Sequence, residues 1–148
     1  MESGLRAQKI LDIKYRHIKE DLEAGLEEIA VKFEPFEYSK KKSAGFTFLG
    51  KRTAGLIHEL IAKGEIKTKP DSPIIPLTYI SIYFAVTRAG KKAGLDPKIQ
   101  LNDGLRKYFE NALDKADLDH DRKMVLEGHL AGIRAKHYTG REWDELRP

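Results

Sequence analysis

The sequence contains no cysteine, which excludes disulfide bonds, thiolate nucleophiles and cysteine-ligated zinc. No apolar run is long enough to cross a membrane, because the longest, residues 76–86, is interrupted by threonine, serine and tyrosine. A glycine-rich loop of the nucleotide-binding type is also absent. Since His17, His58, His120 and His137 include no pair at helical metal-ligand spacing, we predict no metal and no other cofactor.

Asparagine and glutamine are scarce, at two residues each, whereas lysine and glutamate are abundant. This composition is typical of proteins from thermophiles. The first residues lack the basic, apolar and small-residue pattern of a signal peptide, so we predict a cytoplasmic protein.

The chain has 148 residues, of which 34% are charged and 41% hydrophobic, and this predicts one folded domain. Its formal net charge is +4 and its pI is about 9.2. This balance permits nucleic-acid binding, although a solvated surface explains each lysine cluster equally well.

Hydrophobic periodicity predicts a mainly helical α+β fold with one small antiparallel sheet. Two strands, at 28–38 and 46–49, flank a lysine-rich hairpin at 39–44. Gly64 and Gly94 are expected to end two of the helices, and Asn102 or Asp103 to cap a third. The predicted helices are 5–13, 53–63, 77–93, the segment after Asn102 or Asp103, 119–130 and 133–138, and the predicted connections are 20–25 and 67–76.

Two arginines, a histidine and a late tyrosine follow one another along the chain, as Arg6, Arg106, His129 and Tyr138. Cleavage of a phosphodiester without metal needs fixed donors for the non-bridging oxygens, for which the arginine fork is suited. It also needs an in-line nucleophile and an acid for the leaving oxygen. The first three residues could hold a phosphoryl group, Tyr138 could attack it, and a hairpin lysine could be the acid.

The segments around these residues resemble the tyrosine recombinases, especially archaeal and phage integrases. The matching pieces are Ser3-Gly4-Leu5-Arg6, Leu105-Arg106-Lys107-Tyr108-Phe109, Gly128-His129 and His137-Tyr138-Thr139, with Tyr138 nine residues after His129. Pro73-Ile74-Ile75-Pro76 and Ala93-Gly94-Leu95 fit the stretch before the second arginine box. The resemblance covers nearly the whole chain.

The resemblance implies a tyrosine-recombinase-like catalytic domain that integrates or recombines DNA at specific sites, and hence an archaeal or viral mobile element. It implies that Tyr138 forms a 3′-phosphotyrosyl link, that Arg6 and Arg106 clamp the phosphate, and that His129 helps hold it. The family's acid is a hairpin lysine, for which Lys42 is favoured over Lys41 and Lys40. Lys40, Lys41 and Lys107 are expected to contact DNA.

The implied partners are double-stranded attachment sites and further copies of the chain, which form a tetrameric synapse on DNA and separate to monomers when free. The implied location is the cytoplasmic nucleoid. Residues 1–148 would be the C-terminal catalytic domain without the family's N-terminal DNA-clamping domain, as in a fragment or a split integrase gene. One position departs from the family pattern, because Asp103 stands where a histidine is common.

Simpler interpretations exist for each residue. Arg106 could pair with Glu110 one helical turn later, His129 could lie at a helix end, and Tyr138 could be a surface aromatic. The alternative function is therefore a non-catalytic DNA-binding or protein-interaction fragment of a split integrase. In that case the C-terminal segment 141–146 could bind a neighbour through Trp143 and Leu146.

Overall fold

The computed structural model describes residues 5–33, 45–96 and 101–116, together with Leu118, His120, Lys123 and Leu126. Within these ranges the fold is mainly helical α+β, as predicted, with one two-stranded antiparallel sheet. The helices are α1 (Ala7–Leu11), α2 (Lys19–Glu23), α3 (Lys51–Ala62), α4 (Tyr79–Lys92) and α5 (Leu101–Lys115); the strands are β1 (Ile29–Phe33) and β2 (Gly45–Leu49), and a short 3-10 turn covers Tyr15–His17.

The sheet confirms two antiparallel strands at the predicted places. Of the first predicted strand, 28–38, the structure shows Ile29–Phe33; residues 34–38 and the predicted hairpin 39–44 lie outside the described residues. Ile29 lies opposite Leu49, and Phe33 lies opposite Gly45. Three successive residues of β1, Ile29 to Val31, are buried. Because successive side chains of a strand point to opposite faces, both faces of this strand are covered.

The hydrophobic core gathers around β1. Ile18, Ile29 and Val31 are among its most completely buried side chains. Helix α3 contributes Ala54 and Ile57 from one face, at the spacing of an amphipathic helix. The other buried members of this cluster are Leu5, Ile13, Tyr15, Leu22, Phe33, Leu49, Ile66 and Ile74.

The prediction of a connecting segment at 20–25 was wrong, because α2 occupies Lys19–Glu23. Leu22 is buried in the core, and the buried Asp21 carboxylate accepts the Ala30 N–H at 2.8 Å. A five-residue helix is too short to be stable by propensity, so these tertiary contacts hold it in place.

Of the three helix ends that the sequence predicted, two are confirmed, at Gly64 and Gly94, and one is wrong, at Asn102 or Asp103. Gly64 and Gly94 have φ of 75° and 72° just beyond α3 and α4, as expected of C-terminal glycines. The Thr78 hydroxyl accepts the Ser81 N–H at 3.2 Å and caps α4. The predicted cap at Asn102 or Asp103 was wrong, because α5 begins at Leu101 and both residues are helical.

The proline-rich connection between α3 and α4 is a loop, as predicted, and is tied to the chain that follows α1. Tyr15 donates its N–H to the Ser72 carbonyl at 2.9 Å, and Ile74 donates to the Ile13 carbonyl at 3.0 Å. An isolated bridge joins Lys14 to Pro73 between these bonds. The loop is therefore fixed against the core before α4 begins.

Helix α4 contacts both α1 and α5. Its least exposed positions are Ile82, Val86 and Gly90, spaced four residues apart on one face. Most residues of the predicted helices 119–130 and 133–138 lie outside the described part of the chain.

Candidate active site

Arg6 stands directly before α1, where its backbone is fixed. Its carbonyl accepts the N–H groups of Lys9 at 2.7 Å and Ile10 at 3.1 Å, and the neighbouring Leu5 is buried. The Arg6 side chain is exposed. The fold thus anchors the backbone of Arg6 and leaves its side chain exposed to solvent.

Arg106 lies in the second turn of α5 and is partly buried. Its Nε donates to Glu110 Oε1 at 3.1 Å, which is the helical ion pair that the sequence offered as a simpler interpretation. A guanidinium carries five N–H donors, and the bond to Glu110 uses one of them. A phosphate at this position would nevertheless meet the Glu110 carboxylate as a competitor for the same cation.

The helices next to the two arginines both contact helix α4. Arg6 directly precedes α1 and Arg106 belongs to α5, and both helices contact α4. Two positions that are far apart in sequence therefore lie on or next to helices that contact the same element, α4.

The other predicted site residues divide into two groups. Lys107 is exposed on α5. Lys40, Lys41, Lys42, His129 and Tyr138 lie outside the described residues. The hairpin lysines belong to the segment between β1 and β2, whose two ends are held together by the pairing of Phe33 with Gly45.

Tyr15 differs from a nucleophilic tyrosine in its surroundings. It is buried, and its hydroxyl donates to Glu23 Oε1 at 3.1 Å. Burial raises the pKa of Tyr15 above its usual value of 10.0, and Glu23 raises it further. A phenol held neutral in this way is a poor nucleophile, so Tyr15 is a structural hydrogen-bond donor.

Sequence reasoning did not single out a small cleft between the 3-10 turn, α2 and β1. It has a volume of about 140 Å³ and is lined by Arg16, His17, Ile18, Glu20, Asp21, Ala30 and Lys32. Lys32 lies 3.3 Å from Glu20, and Arg16 forms an ion pair with Asp71. Each of these cations already has a carboxylate partner, so the cleft is poorly suited to bind a phosphate.

Buried polar groups beside this cleft have structural partners. His17 Nδ1 accepts the Lys14 N–H at 3.1 Å, and its ring centre lies 4.9 Å from that of Phe33. The acceptor role of Nδ1 places the proton of the neutral ring on Nε2. These contacts fix the chain before β1 and explain a histidine in the core without any catalytic role.

Comparison of the chain with protein-family models, curated proteins and solved structures finds no match. Among the described residues, no group of three or more histidine, aspartate or glutamate side chains is arranged to hold a metal ion. None of the helices in the described ranges combines the length and apolar character that crossing a membrane requires.

Proposed function

We propose that this chain is the catalytic domain of a tyrosine-type site-specific DNA recombinase, which cleaves and rejoins DNA through a 3′-phosphotyrosyl intermediate. Tyr138 is the nucleophile, Arg6, Arg106 and His129 bind the scissile phosphate, and Lys42 is the acid. Lys40, Lys41 and Lys107 contact the DNA backbone. The natural substrate is a double-stranded attachment site of a mobile element, on which several copies assemble.

The observation that supports the proposal is that the helices adjoining Arg6 and Arg106 have a common neighbour, α4. The ordered set of motifs requires these two arginines to act on one phosphate although they are 100 positions apart. Their helices, α1 and α5, both contact α4. The antiparallel pairing of β1 with β2 adds support, because the proposed acid, Lys42, belongs to the segment that connects these two strands.

The chemistry is a displacement at phosphorus. The Tyr138 oxygen attacks the phosphorus, its proton passes to solvent or a nearby base, and the bond to the 5′-oxygen breaks. The leaving 5′-oxygen takes a proton from the lysine ammonium. Arginine donors offset the charge that builds up on the non-bridging oxygens. Religation reverses these steps with a 5′-hydroxyl, and it needs no nucleotide because the phosphotyrosine preserves the bond energy.

A covalent adduct tests the nucleophile. The full chain is mixed with a pool of nicked duplexes of randomised flanking sequence, whose short cleaved strand diffuses away and prevents religation. We expect a protein–DNA adduct that survives denaturing detergent, and no adduct with Tyr138→Phe. Tyr108→Phe is the matched control, since Tyr108 is exposed on α5, and it should keep the adduct. An adduct in Tyr138→Phe would contradict the assignment.

The arginine is tested in the same assay. Arg106→Ala should abolish the adduct, whereas Arg52→Ala, at an exposed position of α3, should keep it. Circular dichroism of both variants checks the fold. An active Arg106→Ala variant would exclude Arg106 from the phosphate site.

A second candidate function is a non-catalytic fragment that binds DNA or another protein. The Arg106–Glu110 ion pair favours it, because Glu110 already partly satisfies one of the proposed phosphate ligands. Asp103, at the position where the family often has histidine, favours it as well. Specific DNA retention without any adduct, at high protein concentration, would select this candidate.

A further inference from the structure

Three aromatic side chains are exposed together on adjacent turns of α4. Tyr79, Tyr83 and Phe84 are 44%, 49% and 57% exposed. Ile80, beside them, is 64% exposed. We call these four residues the aromatic cluster of α4. Large apolar side chains that are exposed in a group mark a binding surface, whereas single exposed ones are ordinary.

Two rings of the cluster are held at an angle to each other. The ring centres of Tyr83 and Phe84 lie 5.8 Å apart and their planes meet at 71°, which is an edge-to-face contact. Because the rings do not stack face to face on each other and both side chains are about half exposed, a flat group from a ligand can stack against them.

The cations of α4 lie toward its other end. The helix contains Arg88, Lys91 and Lys92 and no acidic residue. These three residues follow Phe84 by four, seven and eight positions, a spacing that places them on the same side of the helix. Among the described residues none of the three has a carboxylate partner, whereas lysines of α2, β1 and α3 do. Their charge is therefore available to an external anion.

A ligand that fits this surface must carry flat rings and negative charge close together. Nucleic acid has both, since every base has a ring face and every linkage has a phosphate. Proteins hold single strands by these two interactions, in which bases stack on aromatic side chains and cations follow the backbone.

Two other occupants fit less well. In a duplex the base faces are stacked on one another and only base edges reach the grooves, so Tyr83 and Phe84 would find no face to stack on. A second copy of the same surface would place cations opposite cations, and like charges across an interface are unfavourable.

We infer that α4 binds single-stranded DNA, with bases stacked on the aromatic cluster and phosphates beside Arg88, Lys91 and Lys92. The 14 residues of α4 extend about 21 Å, so a strand of a few nucleotides contacts both the cluster and the cations. These contacts go to bases and phosphates, which DNA supplies without a 2′-hydroxyl. Stacking accepts any base, and we therefore expect little sequence preference.

This site does not rest on the proposed recombinase activity, because it uses none of Arg6, Arg106 and Tyr138. A chain that forms no covalent adduct would still bind a single strand through α4. Conversely, a recombinase without this site would still form the adduct. The two proposals therefore fail in different experiments.

Fluorescence anisotropy of a labelled oligothymidine, titrated with the full chain, tests the stacking. Phe84→Leu should weaken binding about tenfold, because leucine keeps an apolar side chain but has no ring. The same substitution should leave binding of a duplex of equal length unchanged. Tyr108→Leu is the matched control, because Tyr108 is an exposed aromatic residue of α5, and it should bind oligothymidine as the wild type does.

Salt dependence tests the phosphate contacts. Each phosphate contact to a single strand contributes about 0.7 to the slope of log K against log salt concentration. Lys91→Gln should lower the slope by this amount, and Arg52→Gln, at an exposed position of α3, should not. Phe84→Leu should lower the affinity without changing the slope. Circular dichroism of every variant checks the fold.

Equal binding of oligothymidine by the wild type and Phe84→Leu would overturn the inference. An equal loss of duplex binding in Phe84→Leu would also overturn it, since α4 would then be a duplex surface. Tighter binding of oligouridine than of oligothymidine would assign the surface to RNA instead. Binding of phosphatidylglycerol vesicles through Phe84, without binding of oligothymidine, would assign it to an anionic lipid surface.

Discussion

The buried carboxylate of Asp21 offers the sharpest test of how this fold is stabilised. It is 8% exposed and accepts the Ala30 N–H at 2.8 Å, so it joins α2 to the buried strand β1. The substitution Asp21→Ala removes the acceptor and leaves the N–H of Ala30 without this partner. Asp71 is the matched control, because its side chain is 74% exposed and it forms ion pairs with Arg16 and Lys14 at the surface.

The structure sets the expected magnitudes. A buried hydrogen bond to a charged acceptor contributes about 1.5–3 kcal/mol, and Asp21→Ala should cost an amount in the upper half of this range. For 148 residues the unfolding entropy is on the order of 0.3 kcal/mol/K, which converts that loss to a decrease in Tm of about 7–10 °C. Asp71→Ala removes exposed ion pairs and should cost about 0.2–1 kcal/mol.

Thermal and urea unfolding of the three proteins measure these differences. Asp21→Asn is informative as well, because its amide oxygen still accepts the Ala30 N–H, and we expect an intermediate stability. If Asp21→Ala and Asp71→Ala lower Tm equally, the hydrogen bond to Ala30 does not stabilise the fold as reasoned.

Three further predictions concern Tyr15, two glycines and Arg106. The pKa of Tyr15 is raised in the folded state, so its contribution to stability is complete below about pH 10 and is lost as the pH rises further. Above that pH the urea midpoint should decline less steeply in Tyr15→Phe than in the wild type. An unchanged decline would contradict the assignment. Gly64→Ala should destabilise the fold by about 1 kcal/mol in the same assay, because φ at this position is 75°. Gly55→Ala should stabilise it by about 0.5–1 kcal/mol, because Gly55 lies inside α3 with open space around it. Effects of the same sign would refute the backbone explanation. Glu110→Gln should strengthen phosphate binding by Arg106, measured as tighter retention of duplex DNA at low salt, and weaker retention would indicate that the ion pair positions Arg106 for binding.

Long amphipathic segments could be predicted from the sequence because their periodicity extends over several turns. Helices α3 and α4 were expected within two residues of their observed ends, and Gly64 and Gly94 marked where they stop. The β1–β2 pair was also expected, since its apolar residues alternate or run together between polar segments.

Short elements could not be predicted in this way. Helix α2 has five residues, and its burial depends on Leu22 and Asp21 meeting partners elsewhere in the chain. The bridge between Lys14 and Pro73 joins segments far apart in sequence, and no local pattern encodes it. The start of α5 was misplaced because asparagine and aspartate favour helix caps without being confined to them.

For the candidate site, the sequence alone supplied the residue types, their order and the resemblance, because these are properties of the chain. Only the tertiary structure brings α1, which follows Arg6, and α5, which contains Arg106, into contact with the same helix, α4. The spacing of Arg106 and Glu110 predicted an ion pair one helical turn apart, and the structure confirms this ion pair within α5. The sequence determines which side chains are present and how they are spaced along a helix. Their burial and their partners depend on contacts between distant segments, which only the folded chain establishes.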